Sequence, residues 1–416
     1  MGYRYLPYGG LLVLFCLHGL SAQAEAQHAW GLGRLLEATW ASHPAVIGKH
    51  AGVQAAQGDL AGAKWQRYPT PTVEAGLGSD GAHTTLLRLD QPLWNAGRIS
   101  AGVDAAGRRL AAADAAVLEV RQELGLKVIA AWAEAKRQQA RAAYVASGVT
   151  EHRKLLQMIE RRVNQEVSPA VDRNFAESRL LQVLNDLSAA QQALGNALTQ
   201  LSQLTGQPVA LADGTSADAG LISREAALAQ ALANSPTLKR LVAEEEAADA
   251  DVASRRSGLW PQLSLRVESA TGEAASRRAL LVLTAQPGAG LSASAGVAAA
   301  VARREAIRLS REAAARDIQE QIAIDWDDRQ ASIARLSHAR LSKAMSAQVF
   351  ESYTRQYVAG RKTWIDVLNA VREATQAELV LADFQAQSEA AAERLRLRTG
   401  EWLGSAGNAP AGTALP

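Results

Sequence analysis

"YVAGRKTWIDVLNA", residues 357–370, interrupts a chain that is otherwise rich in alanine and helical in pattern. Gly360 suits the left-handed position that ends a helix. Thr363 can cap a following helix, and Asp366 stands three residues later, near that helix's positive end. The stretch predicts a helical hairpin with arms at 297–358 and 364–400. An acid in a first helical turn is accounted for by the helix dipole alone, and a functional role for Asp366 stays open beside that reading. Upstream, "NQEVSPAVDRNF", 164–175, repeats the device. There Ser168 is expected as the cap, Pro169 as the first helical residue and Asp172 in the first turn, between arms at 98–162 and 169–204.

Working outward, the whole chain reads as one unit written twice. Ser42-His43-Pro44 recurs as Asn234-Ser235-Pro236, Pro69 as Pro261, Gln91-Pro92 as Gln286-Pro287, Asp172 as Asp366 and Thr205-Gly206 as Thr399-Gly400. The expected units are 27–220 and 221–403, joined through "GQPVALADGTSADAG", which has linker composition. Each unit opens with an amphipathic helix closed by proline, "HPAVIGKHAGVQAAQGDLAGAKWQRYP" or "SPTLKRLVAEEEAADADVASRRSGLWP". Two strands follow, in hairpins expected at 70–92 and 262–286. The alternation is clear in "LSLRVES" and "ALLVLTAQP" and weaker in "TVEAGLGS" and "TTLLRLDQP". A strand of 9–11 residues, tilted, is long enough to cross a bilayer. The long helices would each span roughly 90–100 Å. Leu110, Val117, Leu124 and Ala131, with Ala113, Val120, Val128 and Ala135, form a seam suited to coiled-coil packing.

Composition narrows the function. Lys and Arg total 44 against 42 Asp and Glu, without the basic excess of a nucleic-acid binder. Residues 1–24, with the apolar run "LLVLFCLHGL" and cleavage at 24–26, read as a secretory signal. The run is too short for a membrane anchor. Cys16, the only cysteine, lies in that leader and lacks the preceding small residues of a lipid-attachment site. The seven histidines, His18, His28, His43, His50, His83, His152 and His338, form no HExxH and have no acid at ligand spacing. "GLGSDG", 76–81, matches GxGxxG but falls between strands instead of opening a helix. No enzyme, cofactor or protein-held metal is expected. Residues 404–416 have too little apolar content to order themselves and read as a flexible tail.

Four membrane-length strands cannot close a barrel, and open edges are not tolerated in hydrocarbon; the smallest single-chain barrels have about 8 strands. If the hairpins lie in a membrane, several copies must pool them; a small sheet in a soluble periplasmic protein is the other reading. "LLEATWASHPAV", "AAQGDLAGAKWQRYPTPTVEAG", "LDQPLWNAGR" and "YVAGRKTWIDVLNAVREATQAELVLA", in this order in a doubled chain, resemble the TolC-type outer-membrane factors of Gram-negative bacteria over most of the sequence.

That resemblance implies a mainly α fold with a small β part. The long antiparallel helices would form a periplasmic α-barrel, and each chain of a homotrimer would give four strands to a 12-stranded outer-membrane β-barrel. The implied protein is an export duct whose partners are a periplasmic adaptor, an inner-membrane ATP-driven transporter or proton-driven pump, the exported cargo and the lipid bilayer. Residue by residue, Asp366 falls on the acid lining the tightest ring of the periplasmic entrance, where divalent cations would bind and block. Tyr357 and Lys362 fall on the residues that link neighbouring helices and hold the entrance shut, and Gly360 falls on the helix-ending glycine. Asn369 stands where some members carry a second acid, and Glu166 where the family often has glycine. Ser168, Pro169 and Asp172 form the matching tip of the first unit. "AGRKTWIDVLNAVREATQAELVLADFQAQ" is more similar to members paired with type I exporters of large adhesins than to the ducts of drug or metal efflux pumps. A non-pore coiled-coil protein is the alternative of another class.

Overall fold

The structure, a computed structural model, describes residues 30–77, 83–212, 223–271, 276–285, 288 and 292–405. The expected signal segment, residues 78–81 of "GLGSDG", Gln286-Pro287 and the tail beyond 405 lie outside these residues.

In chain order the elements are α1 (Leu32–Ser42), α2 (Pro44–Trp65), β1 (Thr70–Leu77), β2 (His83–Trp94), α3 (Arg98–Asn164) and α4 (Ala170–Thr205). The second half repeats them as α5 (Arg224–Asn234), α6 (Pro236–Ser257), β3 (Gln262–Thr271), β4 (Ser276–Thr284), α7 (Ser292–Val358), α8 (Trp364–Arg398) and a short α9 (Glu401–Ser405). The helices α3 and α7 have 67 residues each, about 100 Å of continuous helix.

Several boundaries differ from the sequence reading. A short helix, α1 or α5, precedes each expected opening helix, and the chain turns at His43-Pro44 and Ser235-Pro236, where a proline starts the next helix. The second long helix begins at Ser292, not 297, through a Ser- and Ala-rich turn with no apolar period. The last return helix stops at Arg398, because Gly400 adopts a left-handed conformation at φ 92°. In the first hairpin Pro169, with φ −68° and ψ 149°, is the cap and not the first helical residue, so Ser168 lies one residue too early to cap.

The helix α3 packs against α2, α4, α6 and α8, and α7 packs against α6 and α8. Of the expected seam on α3, Val117, Leu124, Val128, Ala131 and Ala135 are buried, and Leu110, Ala113 and Val120 are half-buried. The largest core forms where α1 crosses α3, with Leu35, Leu36, Val128, Ile129, Leu201 and Leu397 excluded from solvent. A second core at the hairpin tips contains Leu155, Ile159, Ala176, Tyr357, Trp364, Val367 and Val371.

The repeated sequence pairs have a common structural use. Ser42 Oγ donates to the Thr205 carbonyl at 3.0 Å, and Asn234 Nδ2 donates to the Thr399 carbonyl at 2.6 Å. Each satisfies a carbonyl at the end of a return helix that would otherwise lack a partner. Gly206 and Gly400 then turn the chain with φ 71° and 92°, and at Gly400 a Cβ would lie 2.8 Å from Asn234 Cβ.

The strands form one antiparallel sheet in the order β1-β2-β3-β4. Its register separates two faces. Val73, Leu77, Leu87, Leu89, Leu265, Val267, Leu281 and Leu283 share one face and are exposed. The opposite face carries a charge ladder: Arg88 bonds Glu268 at 3.2 Å and Glu74 at 3.4 Å, Arg278 bonds Glu268 at 2.7 Å, and Arg266 bonds Asp90 at 2.6 Å.

Candidate functional site

The two hairpin turns place the expected site residues at the end of the molecule remote from the sheet. Each long helix ends in the same hydrogen-bonded motif. In the second hairpin Gly360 N–H donates to Tyr357 at 3.0 Å and Arg361 N–H to Gln356 at 2.8 Å, with Gly360 at φ 73°. In the first, Glu166 N–H donates to Val163 at 2.9 Å and Val167 N–H to Arg162 at 2.9 Å. The crossed pair of bonds is a Schellman motif. Glu166 occupies its left-handed position at φ 58° without glycine's freedom.

Beyond Gly360 the chain enters α8 through a reciprocal capping box. Asp366 N–H donates to Thr363 Oγ1 at 3.3 Å, while Thr363 N–H and its hydroxyl donate to Asp366 Oδ2 at 3.0 and 2.8 Å. The Thr363 hydroxyl foremost, then its N–H, with Lys362 adding a nearby positive charge, holds the Asp366 carboxyl below its ordinary range. Asp366 is therefore ionised at neutral pH. Asn369, one turn on, is exposed.

The other expected residues divide. Tyr357 is buried in the tip core with the Arg162 guanidinium 4.9 Å from its ring centre, and its hydroxyl is buried with no hydrogen-bond partner among the described residues. Lys362 Nζ lies 4.4 Å from the ring centre of Tyr353, on its own hairpin. In the first hairpin the cap is Pro169, which offers no side-chain bond; Asp172 N–H donates to the Pro169 carbonyl at 3.1 Å. Ser168 is thus not a cap, and this tip lacks the capping box of the other. The sheet's charge ladder was not singled out in the sequence. Its signal was there in "RLD", 88–90, and "RVE", 266–268, where charges alternate with apolar residues.

A sheet with one exposed apolar face at one end and paired helical hairpins at the other is the architecture of the TolC-type channels. The comparisons agree. The outer membrane efflux protein family model matches residues 35–207 and 227–401, once in each half of the duplicated chain. The chain belongs to the outer membrane efflux protein family. It is an outer-membrane efflux channel protein, from a family of channels and not of enzymes. Comparison with curated protein sequences gives no significant match.

Among solved structures, the chain is similar to a membrane protein from Pseudomonas aeruginosa, with TM-score 0.78, 17% identity and coverage of 88% of this chain and 90% of the other. It is similar to the outer membrane protein VceC from Vibrio cholerae, with TM-score 0.74, 20% identity and coverage of 90% and 96%. The CmeC outer membrane channel of Campylobacter jejuni gives TM-score 0.77 at 12% identity, with coverage of 96% and 94%.

Proposed function

We propose that three copies of the chain form one export duct, with their sheets closed into a 12-stranded barrel in the outer membrane and their helices into a periplasmic tunnel. The observation that carries this reading is the sheet. It has four strands, an exposed face that is apolar over its central rows, a charged opposite face, and among the described residues an unpaired edge on both β1 and β4. An apolar outer face and a polar inner face are what a lipid-embedded barrel requires, and only closure satisfies the edges.

The tip is the periplasmic gate in this proposal. Three Asp366 carboxylates near a common axis repel one another, which favours a bound divalent cation or a basic partner. The capping box acts in the opposite sense and keeps each carboxyl ionised. Asn369 supplies amides where a second acid ring would otherwise stand, so cation block is weaker than in a two-ring channel. The buried Tyr357 hydroxyl supports a gate role, because an orphan buried hydroxyl costs about 1–3 kcal/mol. A bond from a neighbouring copy would remove that cost, with Lys362 alongside.

Asp366→Ala is expected to raise single-channel conductance and to weaken divalent block. Thr363→Ala removes the cap but keeps the charge, so it should retain the block. Unchanged block in Asp366→Ala channels overturns the gate assignment. Because only the ionised ring binds cations, block in the wild-type channel should also fade as pH drops through the carboxyl's range.

The duct is further proposed to serve type I protein secretion, working with a periplasmic adaptor and an inner-membrane ATP-driven transporter. Residues 359–387 support this use through their similarity to ducts of that kind. Small-molecule efflux is the competing use, in keeping with the family's description. Comparison of proteins released by cells with and without the gene tests the choice. Loss of one large extracellular protein supports secretion; an unchanged set moves the assignment to efflux.

A further inference from the structure

On the charged side of the sheet, the strands and the adjoining turns of α3, α6 and α7 enclose an open concavity of about 940 Å³. Its walls carry five arginines, Arg98, Arg109, Arg255, Arg266 and Arg303, and one acid, Asp251. Two of the five are neutralised: Arg109 pairs with Asp251, and Arg266 with Asp90. Arg98 donates to the neutral amide of Gln262 at 3.1 Å, and Arg255 and Arg303 have no acidic partner among the described residues. All three are exposed to the concavity's solvent.

Unpaired surface arginines are ordinary on a solvated helix, but three other arginines near the concavity on the same helices are paired. Arg108 pairs with Glu246, Arg304 with Asp249 and Arg311 with Glu245, each across a helix–helix contact. Within the concavity, three guanidiniums without an acidic partner stand around one open space.

We propose that this vestibule, where the helical tube meets the barrel, is an anion-selecting filter that favours cargo rich in carboxylates. The inference rests on the duct reading above. With three chains, three unpaired guanidiniums from each face one lumen, and low-dielectric walls focus their field and concentrate anions. Guanidinium stays charged at every working pH and matches carboxylate geometry with paired N–H donors. The filter thus differs in sign and in pH response from the Asp366 ring at the far end.

The test is the reversal potential of the full-length channel in planar bilayers under a potassium chloride gradient. Replacement of the three, R98Q with R255Q and R303Q, is expected to lower the chloride-to-potassium permeability ratio about twofold or more. It should also relieve block by poly-L-glutamate added from the barrel side. R303Q alone, which breaks no bond, should move both readouts in the same direction. The helix-facing set R108Q, R304Q and R311Q should move neither. Variant channels with an unmoved reversal potential and undiminished polyglutamate block overturn the filter and leave the duct standing. A wild-type protein that forms no channels overturns the duct, and the filter with it.

Discussion

At the scale of single residues, the two hairpin turns show one backbone solution reached with different side chains. Gly360 takes the left-handed position without cost, whereas Glu166 holds φ 58° against its own Cβ. A side chain in that region costs about 1–2 kcal/mol, partly offset by glycine's greater freedom when unfolded. Glu166→Gly is therefore expected to raise stability by roughly 0.5–1 kcal/mol, read as a higher denaturation midpoint. A lower midpoint would mean that the Glu166 side chain makes a contact in the trimer. The turn at 360 was legible because glycine and a Thr-x-x-Asp cap announce it. The first turn was legible in place but not in detail, since proline fits both the cap and the first helical position and only the extended ψ of Pro169 separates them.

At the scale of elements, charge holds α7 to α8. Asp325 is buried between Arg394 at 2.8 Å and Arg398 at 2.7 Å. Asp325→Ala leaves Arg394 only its longer bond to Asp328 at 3.4 Å and Arg398 only its bond to Gln321, and is expected to cost about 2–3 kcal/mol in chemical denaturation, below the full buried-pair figure because the arginines keep other partners and some solvent. A loss under 0.5 kcal/mol, the size of an ordinary surface change, would place the α7–α8 contact elsewhere. Glu389 on α8 has the opposite problem. Burial foremost pushes its carboxyl pKa up, against a Gln385 hydrogen bond and Lys136 that lower it. The folded state then binds the proton more tightly than the unfolded chain, so stability falls as pH rises through the window between the two values. Glu389→Gln should be more stable than wild type at neutral pH, with the gap closing as pH drops below that window; a constant gap would exclude ionisation as its cause.

The long helices, the hairpins and the strand count were legible from the heptad seam of α3 and from the strand alternation, clearest in the second half. Helix starts were less so. The first turns of α7, "SASAG", have no large apolar residue to mark a face. The short α1 and α5 take their place from long-range contacts, such as Trp40 Nε1 donating to the Arg121 carbonyl at 2.8 Å. The vestibule arginines were invisible because they come from four elements, and only the fold brings them together.

At the scale of the whole molecule, the sheet's two faces decide where the protein can reside. Among the described residues no helix is long and apolar enough to cross a membrane; in the proposed duct the apolar sheet face makes the membrane contact. Val267→Arg places a charge on that face and is expected to cost about 2–4 kcal/mol of membrane insertion if it lies near the midplane. Heat-modifiable trimers in the outer-membrane fraction should fall accordingly, and unchanged trimer yield would reassign the apolar face to contact with protein. The same substitution at Ala270, on the charged side, should be tolerated.

The matched bonds from Ser42 and Asn234 sit at the far ends of α4 and α8 from the tips. Each return helix is thus clamped at one end and meets the proposed gate at the other. The span of α4 is 36 residues, about 54 Å. Geometrically this is a lever with its fulcrum in the best-packed part of the protein, so each degree of swing at the clamp displaces the tip by about 1 Å. An entrance built from such arms can widen by several ångströms while the side chains around its fulcrum shift by fractions of one.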